Sequence, residues 1–269
     1  MRSRRFTIVF SLLTAAAVAM AFATARAQQK EPFVPQVGQA GKDVVWVPTP
    51  PELVERMLDL AKVTPADFVM DLGSGDGRNV IGAAKRGARA VGVEYNPDMV
   101  TLSQRNATEA GVASRATFVQ GDMYEADISK ANVLALFLLP SNMIRLRDKF
   151  LDLQPGSRIV SNTFGIEEWT PDETVTIENC SAWCTALLWI VPAKVNGTWR
   201  LEQGELTLKQ SYQMVSGMLG NVPIADGRLR GDQIRFTAGA AEYTGRVAGN
   251  RIQGTVQGGG SQVSWTATR

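Results

Sequence analysis

The residues with chemical potential in this chain centre on Asp71-Leu72-Gly73-Ser74-Gly75-Asp76-Gly77-Arg78. An apolar run, Phe68-Val69-Met70, precedes them, and Asn79-Val80-Ile81-Gly82-Ala83-Ala84 follows with the texture of a first helical turn. Glycines at alternate positions let the chain turn sharply and let backbone N–H groups come close to a ligand. Such a loop belongs at the carboxyl end of the first strand of an α/β sheet, where nucleotide-type ligands bind. A Gly-rich strand-to-helix turn without a ligand has the same local pattern. Partners elsewhere in the chain must therefore decide.

Three further groups fall in the right order. Glu94 closes the strand-like run Ala88–Glu94, where a carboxylate can accept both hydroxyl hydrogens of a ribose. Asp122 follows a third apolar run, Ala116–Gln120, and is placed to accept from an adenine amino group. The corner Leu139-Pro140-Ser141-Asn142 ends a fourth run, Ala131–Leu139. Singly, Glu94 reads equally well as a helix cap, Asp122 as a turn residue and Pro140 as a strand breaker. Together they lie along one sheet edge, the carboxyl ends of the strands.

The elements that position them alternate. Strands at Ala66–Asp71, Ala88–Glu94, Ala116–Gln120, Ala131–Leu139 and Ser157–Ser161 are separated by helices at Asp76–Lys85, Pro97–Ala110 and Ser141–Leu151, with Asn96 as a cap. Before them, Pro51 opens a helix with Leu53, Val54, Met57 and Leu58 on one face. This rhythm predicts an α/β fold: a Rossmann-like, doubly wound, mostly parallel sheet with right-handed crossovers. Thr174–Asn179 and Thr185–Val191 read as its closing antiparallel hairpin. Cys180 and Cys184 flank the turn, close enough for a disulfide in an oxidising compartment, two buried thiols being the alternative. From about Val195 the texture becomes short alternating runs with Gly-led turns. Gly227–Ile234 weakly repeats as Gly245–Ile252, so residues 195–269 are expected to form a small antiparallel all-β module, a barrel or a sandwich. Nothing in that module looks catalytic; it stabilises, or binds an unidentified partner.

The amino terminus reads as an export signal, residues 1–27: Arg2, Arg4 and Arg5, then an apolar stretch, then Ala25-Arg26-Ala27 as a small-x-small cleavage pattern. An uncleaved inner-membrane anchor is the competing reading; after cleavage no stable span is expected. The expected address is the periplasm or outside the cell. Residues 28–45, polar and aperiodic, read as a linker, and residues 46–194 as the α/β domain. A net charge of +2 gives no reason to expect nucleic acid. With no histidine and two cysteines, neither a Ser-His-Asp hydrolase nor a Cys-only zinc site is available, and no metal is expected.

Asp-x-Gly-x-Gly-x-Gly followed by a strand-terminal acid resembles the seven-stranded S-adenosyl-L-methionine-dependent methyltransferases. A nicotinamide-binding fingerprint prefers Gly-x-Gly-x-x-Gly, so a nicotinamide-dependent reductase is disfavoured. Val47-Pro48-Thr49-Pro50, the loop itself, Ala83-Ala84-Lys85-Arg86-Gly87 and Glu94-Tyr95-Asn96-Pro97 resemble, more narrowly, the small protein-lysine methyltransferases of mitochondrial ATP-synthase and nucleotide-carrier subunits and their bacterial relatives. The resemblance covers roughly residues 45–170. It implies that Asp71 and the backbone of Gly73, Ser74, Gly75 and Gly77 hold the methionine part of the cofactor, with Thr49 closing that end. Glu94 would hold the ribose beside Tyr95 and Asn96; Asp122 and Met123 would border the adenine. Leu139, Pro140, Ser141 and Asn142, with Asn162, Thr163 and Phe164, would face the acceptor, and Trp169 is the nearest match to the acceptor-side aromatic. The expected activity is methyl transfer to a protein lysine or a small-molecule amine, with a catalytically decayed adenosyl-binding protein of the periplasm as the alternative.

Overall fold

Parallel strands need crossovers, and three of those here are helices, while residues 121–132 cross over without one. The computed structural model describes residues 33–178 and 180–269. The expected export signal, residues 28–32 of the expected linker and Asn179 lie outside them. Within Pro35–Arg269, α1 (Pro51–Leu60) begins with proline in its first turn and buries Leu53, Val54, Met57 and Leu58. The chain continues through β1 (Phe68–Leu72), α2 (Arg78–Lys85), β2 (Arg89–Glu94), α3 (Pro97–Glu109), β3 (Ala116–Gln120), β4 (Val133–Leu136), α4 (Pro140–Leu151) and β5 (Arg158–Asn162). The hairpin β6 (Glu173–Thr176) and β7 (Thr185–Ile190) completes a seven-stranded sheet of order β3-β2-β1-β4-β5-β7-β6. Only β7 runs against its neighbours. Every residue of β4 is buried, as expected of a strand covered on both faces.

Two expected boundaries move for identifiable reasons. The helix expected from Asp76 starts at Arg78, because Gly77 is left-handed (φ +84°) and precedes the helix as its cap. The strand expected to run to Leu139 ends at Leu136, since the chain must leave the sheet to bring Pro140 into the first turn of α4. Asn96 caps α3, its Oδ1 accepting from Asp98 N at 2.9 Å.

The remaining strands, β8 (Gly197–Leu201), β9 (Gly204–Ser211), β10 (Met214–Leu219), β11 (Val222–Arg230), β12 (Gln233–Ala238), β13 (Ala241–Ala248), β14 (Arg251–Gly258) and β15 (Ser261–Thr268), close into an antiparallel barrel. Inward positions alternate along the strands, apart from a register shift in β11 between Ala225 and Arg228, and fill the interior with Trp199, Leu206, Leu229, Phe236, Tyr243, Ile252 and Trp265. Phe236 stacks on Tyr243 with centroids 4.9 Å apart, and Trp265 meets both edge-on. The interior is thus a packed core. The barrel meets the sheet through Ala193 N donating to Gly231 O (2.8 Å), Gln213 Nε2 to Thr170 O (2.7 Å) and Arg228 Nη2 to the Asp172 carboxylate (2.8 Å). Left-handed Gly231 lies on Gly156, where a Cβ would come within 3.0 Å of the Gly156 Cα. The registers Arg158↔Ile190 and Glu173↔Leu188 put this junction at the amino ends of β5 and β6, away from the edge where Asn162 pairs with Ala186.

Candidate functional site

A cleft of about 870 Å³, open solvent included, lies at the carboxyl edge of the sheet. Asp71 comes from the end of β1, Gly73, Ser74, Gly75 and Asp76 from the loop, and Glu94, Tyr95 and Asn96 from the end of β2. Asp122 and Met123 follow β3, Phe137 follows β4, and Thr49 precedes α1. The structure therefore brings together Thr49, Asp71, Gly73, Ser74, Gly75, Glu94, Tyr95, Asn96, Asp122 and Met123. Gly77 is not among the lining residues. Its backbone turns against Phe118 and Ser103, so its role is in the turn rather than at the ligand.

Hydrogen bonds to β2 set the loop. Gly73 N and Ser74 N donate to Val93 O at 2.8 and 3.1 Å, and Gly75 N donates to Glu94 Oε2 at 2.9 Å. The other oxygen of Glu94 accepts from Asn96 N at 2.9 Å. Glu94 thus joins the loop to the turn after β2 and keeps lone pairs toward the cleft. Arg78, which the sequence did not single out, forks onto Asp76 and donates to Thr49 O. The Thr49 hydroxyl accepts from buried Asn162 at 3.2 Å, so three distant elements meet at this residue.

Ser74 Oγ and Asn79 Oδ1 are buried polar atoms in residues of the cleft, without a hydrogen-bond partner among the described residues. Buried polar groups are normally satisfied, so these await a ligand's donors or acceptors. With the glycine cradle and the carboxylates Asp71 and Glu94, they fit a nucleoside carrying a cationic amino-acid tail, which is the chemistry of S-adenosylmethionine.

The segment expected as a linker does more than connect. Gly38 N donates to Trp46 O (2.9 Å) and Trp46 N to Gln39 O (3.0 Å), which closes Gly38–Trp46 into a strap. Residues Gln39–Val47 line the cleft. The Trp46 indole rests on Gly75, where a Cβ would meet its Nε1 at 2.8 Å. Lys42 pairs with Asp122 and lies 5.1 Å from the Tyr95 ring centroid. The Lys42 hydrogen bond, helped by the Tyr124 backbone N–H, holds the Asp122 carboxyl below the usual carboxylate range.

The acceptor side differs from expectation. Leu139, Pro140 and Ser141 are exposed where α4 begins and do not line the cleft, because β4 ends early and the corner turns outward. Asn142 is buried, donating to the Tyr124 hydroxyl at 2.7 Å. Trp169 is also away from the cleft, stacked 5.6 Å from Tyr212 at the barrel junction. Instead Phe137, Phe164 and Trp183, all half-buried, form a cluster with centroids 5.4 to 6.0 Å apart. Of these only Phe164 was expected. Asn162 and Thr163 lead into it, Thr163 with φ +58°, an uncommon conformation for a β-branched residue.

Burial pushes the Asp71 carboxyl well above the usual carboxylate range; the Asn79 amide opposes this, and the charges of Glu94 and Asp76 add to it. In the folded chain Asp71 therefore keeps a proton that the unfolded chain releases. Its contribution to stability falls as pH rises from about 4 through the raised value. A cationic ligand group against Asp71 favours the carboxylate, so binding expels the proton and affinity rises with pH over the same window. Calorimetry of S-adenosylmethionine binding in mildly acidic buffers of different ionisation enthalpy is expected to show proton release. The release should disappear in Asp71→Asn.

Residues 71–173 match the family model described as the ANTKMT methyltransferase domain. A protein-lysine N-methyltransferase of Saccharolobus islandicus is 42% identical over 151 residues, which covers 55% of this chain and 94% of that protein. The adenine nucleotide translocase lysine N-methyltransferase of Mus musculus is 34% identical over 51% of this chain and 56% of its own length. A crystal structure from Salinibacter ruber, described as an RNA methyltransferase in complex with S-adenosyl-L-homocysteine, is 48% identical with a TM-score of 0.52, over 55% of this chain and 96% of that one. The residues that the family model matches run from the end of β1 to the start of β6, and the chain belongs to this family of methyltransferases, with S-adenosyl-L-methionine as its cofactor.

Proposed function

We propose that the protein methylates the side-chain amine of a lysine in a protein, and that it does so outside the cytoplasm. The observation that carries the first part is the 42% identity to a protein-lysine methyltransferase that the chain covers almost completely. The acceptor side supports it. When bound, the cofactor supplies a methyl group already activated on a sulfonium, so alignment rather than strong base catalysis dominates. Asp71, Glu94 and the loop amides bind and orient. Thr49, tied to Asn162 and Arg78, fixes the methionine end. Phe137 and Phe164 exclude water, and apolar surroundings favour the neutral, nucleophilic amine over its ammonium form. A chain without histidine can do this chemistry.

RNA as the acceptor has one observation in its favour, the Salinibacter ruber structure described as an RNA methyltransferase. The small net charge speaks against it. Incubation with radiolabelled S-adenosylmethionine and an extract divided into protein and RNA fractions separates the two. Label in lysine is expected; label in RNA would replace the reading, and binding without transfer would mark a decayed enzyme. Export is supported by the basic and apolar residues of Met1–Ala27 and by the disulfide described below, which suits an oxidising compartment. Mass spectrometry of the native protein should find its first residue at Gln28; an intact Met1 overturns cleavage.

A further inference from the structure

Cys180 and Cys184 are joined in a disulfide, with Cα atoms 5.7 Å apart. The bridge closes a loop that contains Ser181, Ala182 and Trp183. Because β6 runs parallel to β5 and Thr176 pairs with Thr185, the loop emerges at the carboxyl edge of the sheet, beside Asn162 and the cleft. Trp183 is left-handed, φ +59°, a conformation that a tryptophan does not adopt without constraint. Its ring is carried onto Phe137, 5.4 Å between centroids, and onto Phe164, 5.5 Å. Phe137 lines the cleft. Thr163, also left-handed, sets Phe164 from the other side, and its hydroxyl is buried without a partner, as is Asn162 Oδ1. Two constrained residues on separate elements thus hold one half-exposed aromatic wall, next to buried polar atoms awaiting a partner. Strain of this kind concentrates where a site must be held in shape.

We infer that the disulfide-closed loop Cys180–Cys184 is the acceptor-binding element of the enzyme: it holds Trp183 as the outer wall against which the aliphatic stem of the incoming amine packs. This rests on the amine-acceptor reading above. Neither cysteine lines the cleft that holds Asp71 and Glu94, so reduction of the bridge changes acceptor binding and leaves cofactor binding alone. Acceptor recognition is therefore sensitive to the redox state of the compartment, while loading with cofactor is not.

The test uses the full chain and a blocked glycine pentapeptide with one central lysine. In Trp183→Ala, in the Cys180→Ser/Cys184→Ser double variant and in wild type reduced with dithiothreitol, KM for the peptide is expected to rise about ten-fold, the loss of one good aromatic contact. The kcat and the affinity for S-adenosylhomocysteine should stay within about two-fold of the oxidised wild type, since the cofactor contacts are intact. A second readout needs no turnover. With 5-fluorotryptophan incorporated, the Trp183 fluorine resonance, assigned through Trp183→Phe, should shift saturably as peptide is added to the S-adenosylhomocysteine-loaded oxidised protein. It should not shift after reduction. Transfer with unchanged KM in all three forms, or a Trp183 resonance that ignores saturating peptide, overturns the inference. Absence of transfer to lysine in the oxidised wild type overturns the acceptor reading itself, and the inference with it.

Discussion

Gly77→Ala is expected to lose about 3 kcal/mol of stability, from a left-handed backbone and an overfilled contact. It should also lose measurable affinity for S-adenosylhomocysteine. Gly77 holds φ +84°, and a Cβ there would lie 2.6 Å from two atoms of the Phe118 ring and 2.8 Å from Ser103 Cβ. Neither neighbour is free to retreat. Phe118, in the middle of β3, is buried in the core, and Gly92 already gives way to the same ring, its own absent Cβ falling 2.7 Å from Phe118 Cδ1. Gly77 N also donates to Ser74 O at 2.9 Å, so a shift at Gly77 moves the residues that line the cleft. Urea denaturation measures the first effect and calorimetry the second. A fully stable Gly77→Ala that binds normally would show that the turn tolerates an L side chain, contrary to this geometry. Gly73→Ala, also at a positive φ, faces only Leu138 Cδ2 at 3.4 Å and should cost markedly less.

The second large effect is at Glu94. Glu94→Ala removes the acceptor of Gly75 N and of Asn96 N together, so the loop loses its tie to β2 where a ribose would sit. Hydrogen bonds to a charged group contribute about 1.5–3 kcal/mol each. Two loosened donors and the lost contacts to ligand hydroxyls are expected to weaken S-adenosylhomocysteine binding by about 100-fold, or about 2.7 kcal/mol. Glu94→Gln keeps a carbonyl acceptor for one of the two amides and should fall between, near ten-fold. The order wild type, Gln, Ala is the diagnostic result. Equal affinities for all three would show that Glu94 serves the loop without touching the ligand.

Much of the candidate site was legible because it is local. The left-handed turns of Gly73, Gly75 and Gly77 need glycine, and a strand-terminal acid and an acid after the next strand stand at positions that topology alone brings to one edge. The sheet was legible for the same reason, through its alternating apolar runs. What was not legible depends on closure of the chain over distance. Gln39–Trp46 is polar and aperiodic and reads as a spacer; only Lys42 meeting Asp122, and Trp46 meeting Gly75, make it a wall. Phe137 was hidden inside an apolar run, where one residue of strand length decides whether a side chain points to the core or the cleft. Leu139–Ser141 lie outside the cleft because β4 ends at Leu136, three residues before the expected Leu139. The meeting of Trp183 with Phe137 and Phe164 was not legible, because nothing local shows where a hairpin tip will pack. Trp169 was assigned to the acceptor side and instead joins the sheet to the barrel through Tyr212, a role that exists only once the barrel has formed.

The strap gives the site a residence time. Its closed tip is fastened to the turn after β3 by Lys42 and Asp122, whose side chains remain 37% and 24% exposed. A solvent-reached ion pair of this kind is screened by salt and holds weakly. Ligand exchange is therefore expected to quicken in concentrated salt, to the extent that this pair and not the Trp46 contact with Gly75 holds the strap down. On the proposed export, a molecule of cofactor seated beforehand would equilibrate with its new surroundings, and sustained turnover would then depend on the local cofactor concentration.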